Sequence, residues 1–247
     1  MKKYFYLTFL LLLILSCKKP EDRTCFKSVG EYTEKEIKMD VFDKLKLYEY
    51  MKFVLIQDST DKVVLKGGKN LLNHINLKLA DNRIEIKNEN KCRFLRDYSK
   101  KVIVEIHFTT LSNLEIIGSE TLTNSGTLNL DLFSLTISDG AGSVILNNIK
   151  SNVFETFLTG GNGDFTLSGK ANFAHFIVKG NGYCNTTDFT AKDSLDVITN
   201  SSASIKVNAN NTKFRTEIIR NGDLYYIGSP LSIKNKEYST GKLINAN

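Results

Sequence analysis

Along most of the chain hydrophobic residues alternate with polar ones. Leu45/Leu47, Val63/Leu65, Ile84/Ile86 and Val102/Val104/Ile106/Phe108 are separated by Lys, Glu, Asn and His, the period of two that marks strands burying one face. No amphipathic helix competes with this pattern. The best helical candidate is Asn70 to Leu79, but its Leu71, Leu72, Ile75, Leu77 and Leu79 fit equally a turn followed by a strand, and Gly67-Gly68 precede it. The pattern predicts an all-β fold.

The second half is self-similar. Written in rows, it runs Leu114–Ser134, Leu135–Glu155, Thr156–His175, Phe176–Ser194, Leu195–Phe214 and Arg215–Ile233. Each row holds a short strand, a turn at Gly, Asn or Ser, a second strand and a second polar turn. A row of about 20 residues is within the range of architectures whose units bury a core only by stacking, and here it predicts one coil of a parallel β-solenoid. Asn and Gly suit the turns because they accept positive φ at low cost, and Asn side chains can form ladders between coils. Phe133, Phe154 and Phe214 fall at equivalent positions and are expected to stack inside. The chain has only 2 Pro, as stacked coils require, since an internal proline removes a hydrogen bond to the next coil. Pro230 is expected in the last coil, with the Lys234–Lys236 tail guarding the open edge.

The N-terminus changes the picture of where the chain works. Lys2 and Lys3 precede an apolar run from Tyr4 to Leu15, then Ser16 and Cys17, the layout of a secretory signal too short to span a bilayer. Ile14-Leu15-Ser16-Cys17 resembles the lipobox of bacterial lipoproteins. That resemblance implies a signal peptide over residues 1–17, acylation (palmitate among the chains) of Cys17, and an outer-membrane lipoprotein of the cell envelope, facing either the periplasm or the exterior. Several acyl chains hold a protein on a membrane stably. Residues 18–39 are charged and poor in apolar side chains, which predicts a tether, and residues 40–247 form the single solenoid domain.

The formal charge is +6, from 33 Lys and Arg against 27 Asp and Glu. Removing Lys2 and Lys3 with the signal leaves 31 against 27, or +4. Outside the cytoplasm a mild basic excess points to anionic envelope polymers or lipid headgroups, and no nucleic-acid partner is expected. Cys25, Cys92 and Cys184 remain after processing. In an oxidising compartment the favoured disulfide joins Cys25 to Cys92, and Cys184, inside a repeat, reads as a small buried hydrophobe.

Candidate chemistry is sparse. Asp164 and Asp223 share a row position but are three coils apart, about 14 Å at the inter-strand spacing, too far for a glycosidase pair. Asp139 is one coil from Asp164 but four positions earlier. Gly160-Gly161-Asn162-Gly163-Asp164 resembles a calcium-binding nonapeptide, yet its Asp comes one residue early and no tandem repeat follows, so no metal is expected. His74, His107 and His175 are scattered, and His107 shares a polar strand face with Glu105, which favours surface pairing. The glycine-rich turns lead into strands, so no phosphate loop and no cofactor is expected. The densest basic segment runs from Lys87 to Lys101. Its Arg93, Phe94, Arg96, Tyr98, Lys100 and Lys101 form a candidate anionic-ligand patch, set against the alternative of a disulfide-tied excursion capping the solenoid's side.

Phe42-Asp43-Lys44-Leu45, Asn70-Leu71-Leu72 ahead of Asn82-Arg83-Ile84-Glu85-Ile86, the glycine-rich rows and Tyr226-Ile227-Gly228-Ser229-Pro230 together resemble the auto-transporter adhesin "head GIN" domain family over about residues 40 to 245. The row motif is degraded at Asn200-Ser201-Ser202, and Asn221-Gly222-Asp223-Leu224 departs from the family's pattern. The resemblance implies a right-handed parallel β-helix on a bacterial lipoprotein, without catalytic residues. The expected function is a binding or adhesion module for a polysaccharide or surface protein. The competing reading is a carbohydrate-active β-helix enzyme, a polysaccharide lyase or hydrolase. Two acids and an Arg converging in one concave groove are its signature.

Overall fold

The structure is a computed structural model and describes residues 28–91, 101–140 and 142–247. These residues contain eighteen strands and one short helix. In the first part lie β1 (Tyr32–Lys38), β2 (Lys44–Leu47), β3 (Met51–Gln57), β4 (Lys62–Gly68), α1 (Lys69–Leu72), β5 (Ile75–Ala80), β6 (Arg83–Asn88) and β7 (Val102–Phe108). The repeats supply β8 (Asn113–Ile117), β9 (Leu122–Ser125), β10 (Leu128–Ser138), β11 (Ser143–Leu158), β12 (Asp164–Gly180) and β13 (Tyr183–Ser201). They close with β14 (Ile205–Asn208), β15 (Lys213–Ile218), β16 (Leu224–Ile227), β17 (Ser232–Glu237) and β18 (Leu243–Asn245).

From β8 onward every strand pairing is parallel, and the chain winds as a β-solenoid of about six turns. One column runs Leu114, Leu135, Thr156, Phe176, Val197, Thr216, Asn235, facing inward as far as Thr216 and exposed at Asn235, with members 21, 21, 20, 21, 19 and 19 residues apart. The first four rows of the repeat open on this column. The rows opening at Leu195 and Arg215 start two and one residues early, because β13 carries one extra residue at each of two bulges against β12. A bulge adds a residue without disturbing the alternation on either side, so the sequence pattern conceals it.

Each coil has three faces. One is built from β8, β10 and the ends of β11, β12 and β13, then β15 and β17. A second is built from β9, the starts of β11 to β13, then β14, β16 and β18. Between them a short face is formed by the middle segments of the long strands, where Asn129, Lys150, Lys170 and Thr190 are in register on the outside. Inside, Leu122, Val144, Phe165, Cys184, Ile205 and Leu224 form a fully buried column. Coils approach closely at Gly169 (φ +127°), where an added Cβ would lie 2.2 Å from the Ile149 carbonyl oxygen, so a side chain would force the coils apart.

The N-terminal coils are stacked out of sequence order. β2 and β3 lie in parallel between β6 and β7 on one side and β8 and β9 on the other. β5 then pairs antiparallel with β6, and β4 and β1 add antiparallel strands beyond β7. Antiparallel strands end the parallel stack at this end, and β1 falls within the segment expected to be a tether. Asn70 to Leu79 divides into α1 and β5, the turn-and-strand alternative. At the other end β17 and β18 make a further coil, so Pro230 lies in the turn before the last coil and Lys234 and Lys236 belong to a paired strand. This corrects the expectation of a Pro230 coil with a lysine tail.

The phenylalanine column is real but interrupted. Phe133, Phe154, Ala174, Leu195 and Phe214 are in register. Phe133 and Phe154 stack at 5.3 Å, whereas Phe154 next meets Phe189 at 5.5 Å and Phe214 meets Tyr226 at 5.6 Å.

Candidate functional site

Cys17, Cys25, Cys92, Arg93, Phe94, Arg96, Tyr98 and Lys100 lie outside the described residues. Lys101, the remaining member of the predicted patch, pairs with the buried Glu120 at 2.5 Å, so its charge is consumed within the fold. Cys184 is fully buried, and burial pushes its thiol pKa up, as for an inert core residue. His107 donates from Nδ1 to the Asp58 carboxylate at 2.6 Å while Glu105 pairs with Lys66 at 2.8 Å. The hydrogen bond from His107 is the main reason the Asp58 carboxyl is held below its ordinary pKa. These are surface pairings. Asp164 and Asp223 fall in one column with Tyr183 and Ser204 between them. Among the described residues no three His, Cys, Asp or Glu gather as metal ligands.

Among the described residues two concave outer surfaces carry several charged side chains, while a third, of about 490 Å³, is lined by Thr187, Ser204, Lys206, Tyr225, Ile227 and Ala246. The larger of the two charged ones, of about 640 Å³, crosses the first face over β12, β13, β15 and β17 and contains His175, Asp196, Arg215, Glu217, Lys234 and Lys236. Asp196 accepts from Nε of Arg215 at 2.7 Å and from Nη2 as well, and Glu217 accepts from Lys236 at 3.1 Å. Each carboxylate is thus matched by the cation one coil further on. A single acid meets the Arg, and the second is held by a lysine, so the convergent acid–acid–Arg constellation of a lyase is not formed here.

The second groove, of about 440 Å³, lies on the short face between Lys150 and Asn211. It is lined by Lys150, Ser151, Lys170, Asn172, Thr190, Lys192, Asn210 and Asn211 over a floor of Ala171 and Ala191. Lys150 and Lys170 stand one above the other in register, and Lys192 projects from the second bulge of β13. All three are exposed, and none forms an ion pair among the described residues. Asn172 donates to Asn152 at 3.0 Å, one of the Asn ladders the turns predict, and Asn181 does the same to Asn162 at 3.1 Å. Beside the groove on β12, Phe173 is 45% exposed and presents an aromatic ring to solvent. Sequence reasoning missed this site because its lysines are about 20 residues apart and become neighbours only when the coils stack.

The architecture is that of a β-solenoid whose polar faces repeat from coil to coil. The chain belongs to the family described as putative auto-transporter adhesin, head GIN domain, whose model matches residues 41–230. Among solved structures, a putative adhesin from Bacteroides fragilis is 19% identical with a TM-score of 0.78, covering 87% of this chain and 97% of that one. A putative lipid binding protein from Parabacteroides distasonis, also 19% identical, has a TM-score of 0.69 and covers 88% and 98%. A putative adhesin from Parabacteroides merdae is 16% identical at a TM-score of 0.55, covering 89% and 98%. At these identities the structures speak for the fold alone. No curated relative matches the chain.

Proposed function

We propose that this protein is a lipid-anchored module of the bacterial outer membrane that binds surface ligands along a rigid solenoid face and carries out no bond chemistry. The observation that carries this reading is the short-face groove, where three unpaired ammonium groups and several amide and hydroxyl side chains point outward from a stacked, rigid frame. Ion pairs such as Asp196–Arg215 and Glu217–Lys236 neutralise the larger concavity, while the lysines of the smaller one remain available. The family's description as an adhesin agrees with such a role. The anchor is Cys17, with the segment after it leading to β1, and a Cys25–Cys92 disulfide braces the N-terminal region.

Two measurements test the reading. Cys17→Ser should release the protein from the membrane fraction, and unchanged retention refutes the anchor. The purified full chain, arrayed against bacterial and host surface glycans and proteins, should bind at least one of them saturably. Binding to none, or turnover of a bound glycan, refutes a binding module without chemistry.

A further inference from the structure

We infer that the short-face groove is a binding site for a linear anionic polysaccharide whose sugars carry carboxylates, lying across the stacked coils. The inference rests on the binding-module reading and names its ligand class. Three features of the groove specify this chemistry. The first is charge: Lys150, Lys170 and Lys192 line it, and no acid does. Asp131, Asp188 and Asp193, the acids on the adjoining turns, form no ion pair with these lysines. Several outer-face charges elsewhere pair between coils, as Lys46 does with Glu115 at 3.0 Å and Lys236 with Glu217 at 3.1 Å. An uncompensated cluster in that setting attracts a polyanion.

The second feature is repetition. Lys150 and Lys170 are direct register partners, so their backbones are about 4.8 Å apart along the stack. A polymer with a charged group on successive units offers several carboxylates to this series at once, which a single small anion cannot do. Multiple weak contacts on one chain add through effective concentration.

The third feature is the neutral lining. Asn172, Thr190, Asn210 and Asn211 offer both donors and acceptors beside the ammonium groups. Hydroxyl-rich sugars use both, whereas a phosphate headgroup uses donors alone. Phe173, exposed next to Asn172 on β12, supplies an apolar ring face of the kind on which the C–H face of a sugar can rest. The small side chains of Ala171 and Ala191 keep the floor shallow, so an extended chain can lie across it.

The test uses the full chain in detergent and immobilised polygalacturonic acid as the probe, with its fully methyl-esterified form as the uncharged control. We expect saturable binding to the acidic polymer, at least tenfold weaker binding to the ester, and marked loss in high salt. The triple variant Lys150→Gln, Lys170→Gln, Lys192→Gln should lose at least tenfold in affinity. The charge-matched triple Lys52→Gln, Lys78→Gln, Lys234→Gln should bind as the wild type does. Circular dichroism and thermal melting establish that both triples fold, and Phe173→Ser, a surface change, should weaken binding on its own. Galacturonate oligomers should compete, and glycerol phosphate at equal charge should not.

Absence of binding to polygalacturonic acid, equal binding to the ester, or equal loss in both triples overturns the inference. Stronger competition by glycerol phosphate assigns the groove to a phosphate headgroup and also overturns it. If the array experiment meanwhile finds a neutral glycan or protein ligand, the binding-module reading stands while the anionic-glycan inference falls, so the two failures are distinguishable.

Discussion

Asp196 and Arg215 are register partners on adjacent coils, and the carboxylate accepts hydrogen bonds from both Nε and Nη2 of the guanidinium. The contact holds the Arg215 pKa above its ordinary value, chiefly through that hydrogen bond. Arg215 is nevertheless 59% exposed as a side chain, and exposed pairs contribute only about 0–1 kcal/mol. A double-mutant cycle with Asp196→Ala and Arg215→Ala, followed by urea denaturation, should therefore give a coupling energy below about 1 kcal/mol. A coupling several times larger would mean that the groove around the pair is desolvated in solution. Ligand binding on the short face should be unchanged in both variants.

The interior carries more weight. Phe154 is fully buried and touches Phe133 from the preceding coil and Phe189 from two coils further on. Replacing it with alanine leaves a cavity that rigid stacked strands cannot collapse, and a loss of about 3–5 kcal/mol is expected. The check is the denaturation midpoint. Leu132→Ala, at a side chain 59% exposed, should change the stability by no more than about 0.5 kcal/mol.

Cys184 occupies the column between Phe165 and Ile205. Its pKa is pushed up by burial, so the thiolate needed for alkylation is scarce and enclosed. Iodoacetamide should leave Cys184 unmodified in the native protein and modify it fully in denaturant, as read by peptide mass. Cys184→Val should be tolerated and Cys184→Asp should unfold the coil, because the first keeps an apolar group in an apolar column and the second buries a charge.

Glu237 closes the last coil. It accepts from Lys242 Nζ at 2.7 Å, the Leu243 amide at 3.1 Å and Asn235 Nδ2 at 2.9 Å. These bonds, the lysine's first, bring its pKa down to about 2. A carboxylate with a depressed folded pKa contributes stability that is fully present above its unfolded value of about 4.3. That contribution is lost as pH falls through the folded value. The join between β17 and β18 should therefore loosen between about pH 4.3 and pH 2. The Glu237 side-chain carbonyl carbon, followed by NMR, should titrate near the low end, and a midpoint near 4.3 would contradict the latch. Glu237→Gln should show increased hydrogen exchange at Leu243 at neutral pH.

What was legible in the sequence follows from the period of two and from the row length. Leu114, Leu135, Thr156 and Phe176 open their rows on the column where the structure places them, because each row must return the same face to the core. The Asn and Gly turns were legible for the same reason: Asn148 and Asn211 have φ of 55° and 54°, a conformation that few other residues adopt cheaply. The rows at Leu195 and Arg215 slipped where bulges add residues without changing composition. Nor does any hydrophobic pattern tell that β6 and β7 lie outside β2 and β3, since all four strands bury one face equally well.

The sequence by itself determined that this chain is all-β, that it coils, and which residues face inward, since alternation and row spacing act through local geometry. Only the tertiary structure decided the order of the first coils, the place of the last one, and which lysines stand together. Lys150, Lys170 and Lys192 are scattered along the chain and adjacent in space. Stacking converts a spacing of about 20 residues into one strand-to-strand distance of about 4.8 Å, and charges that look dilute in sequence become a cluster.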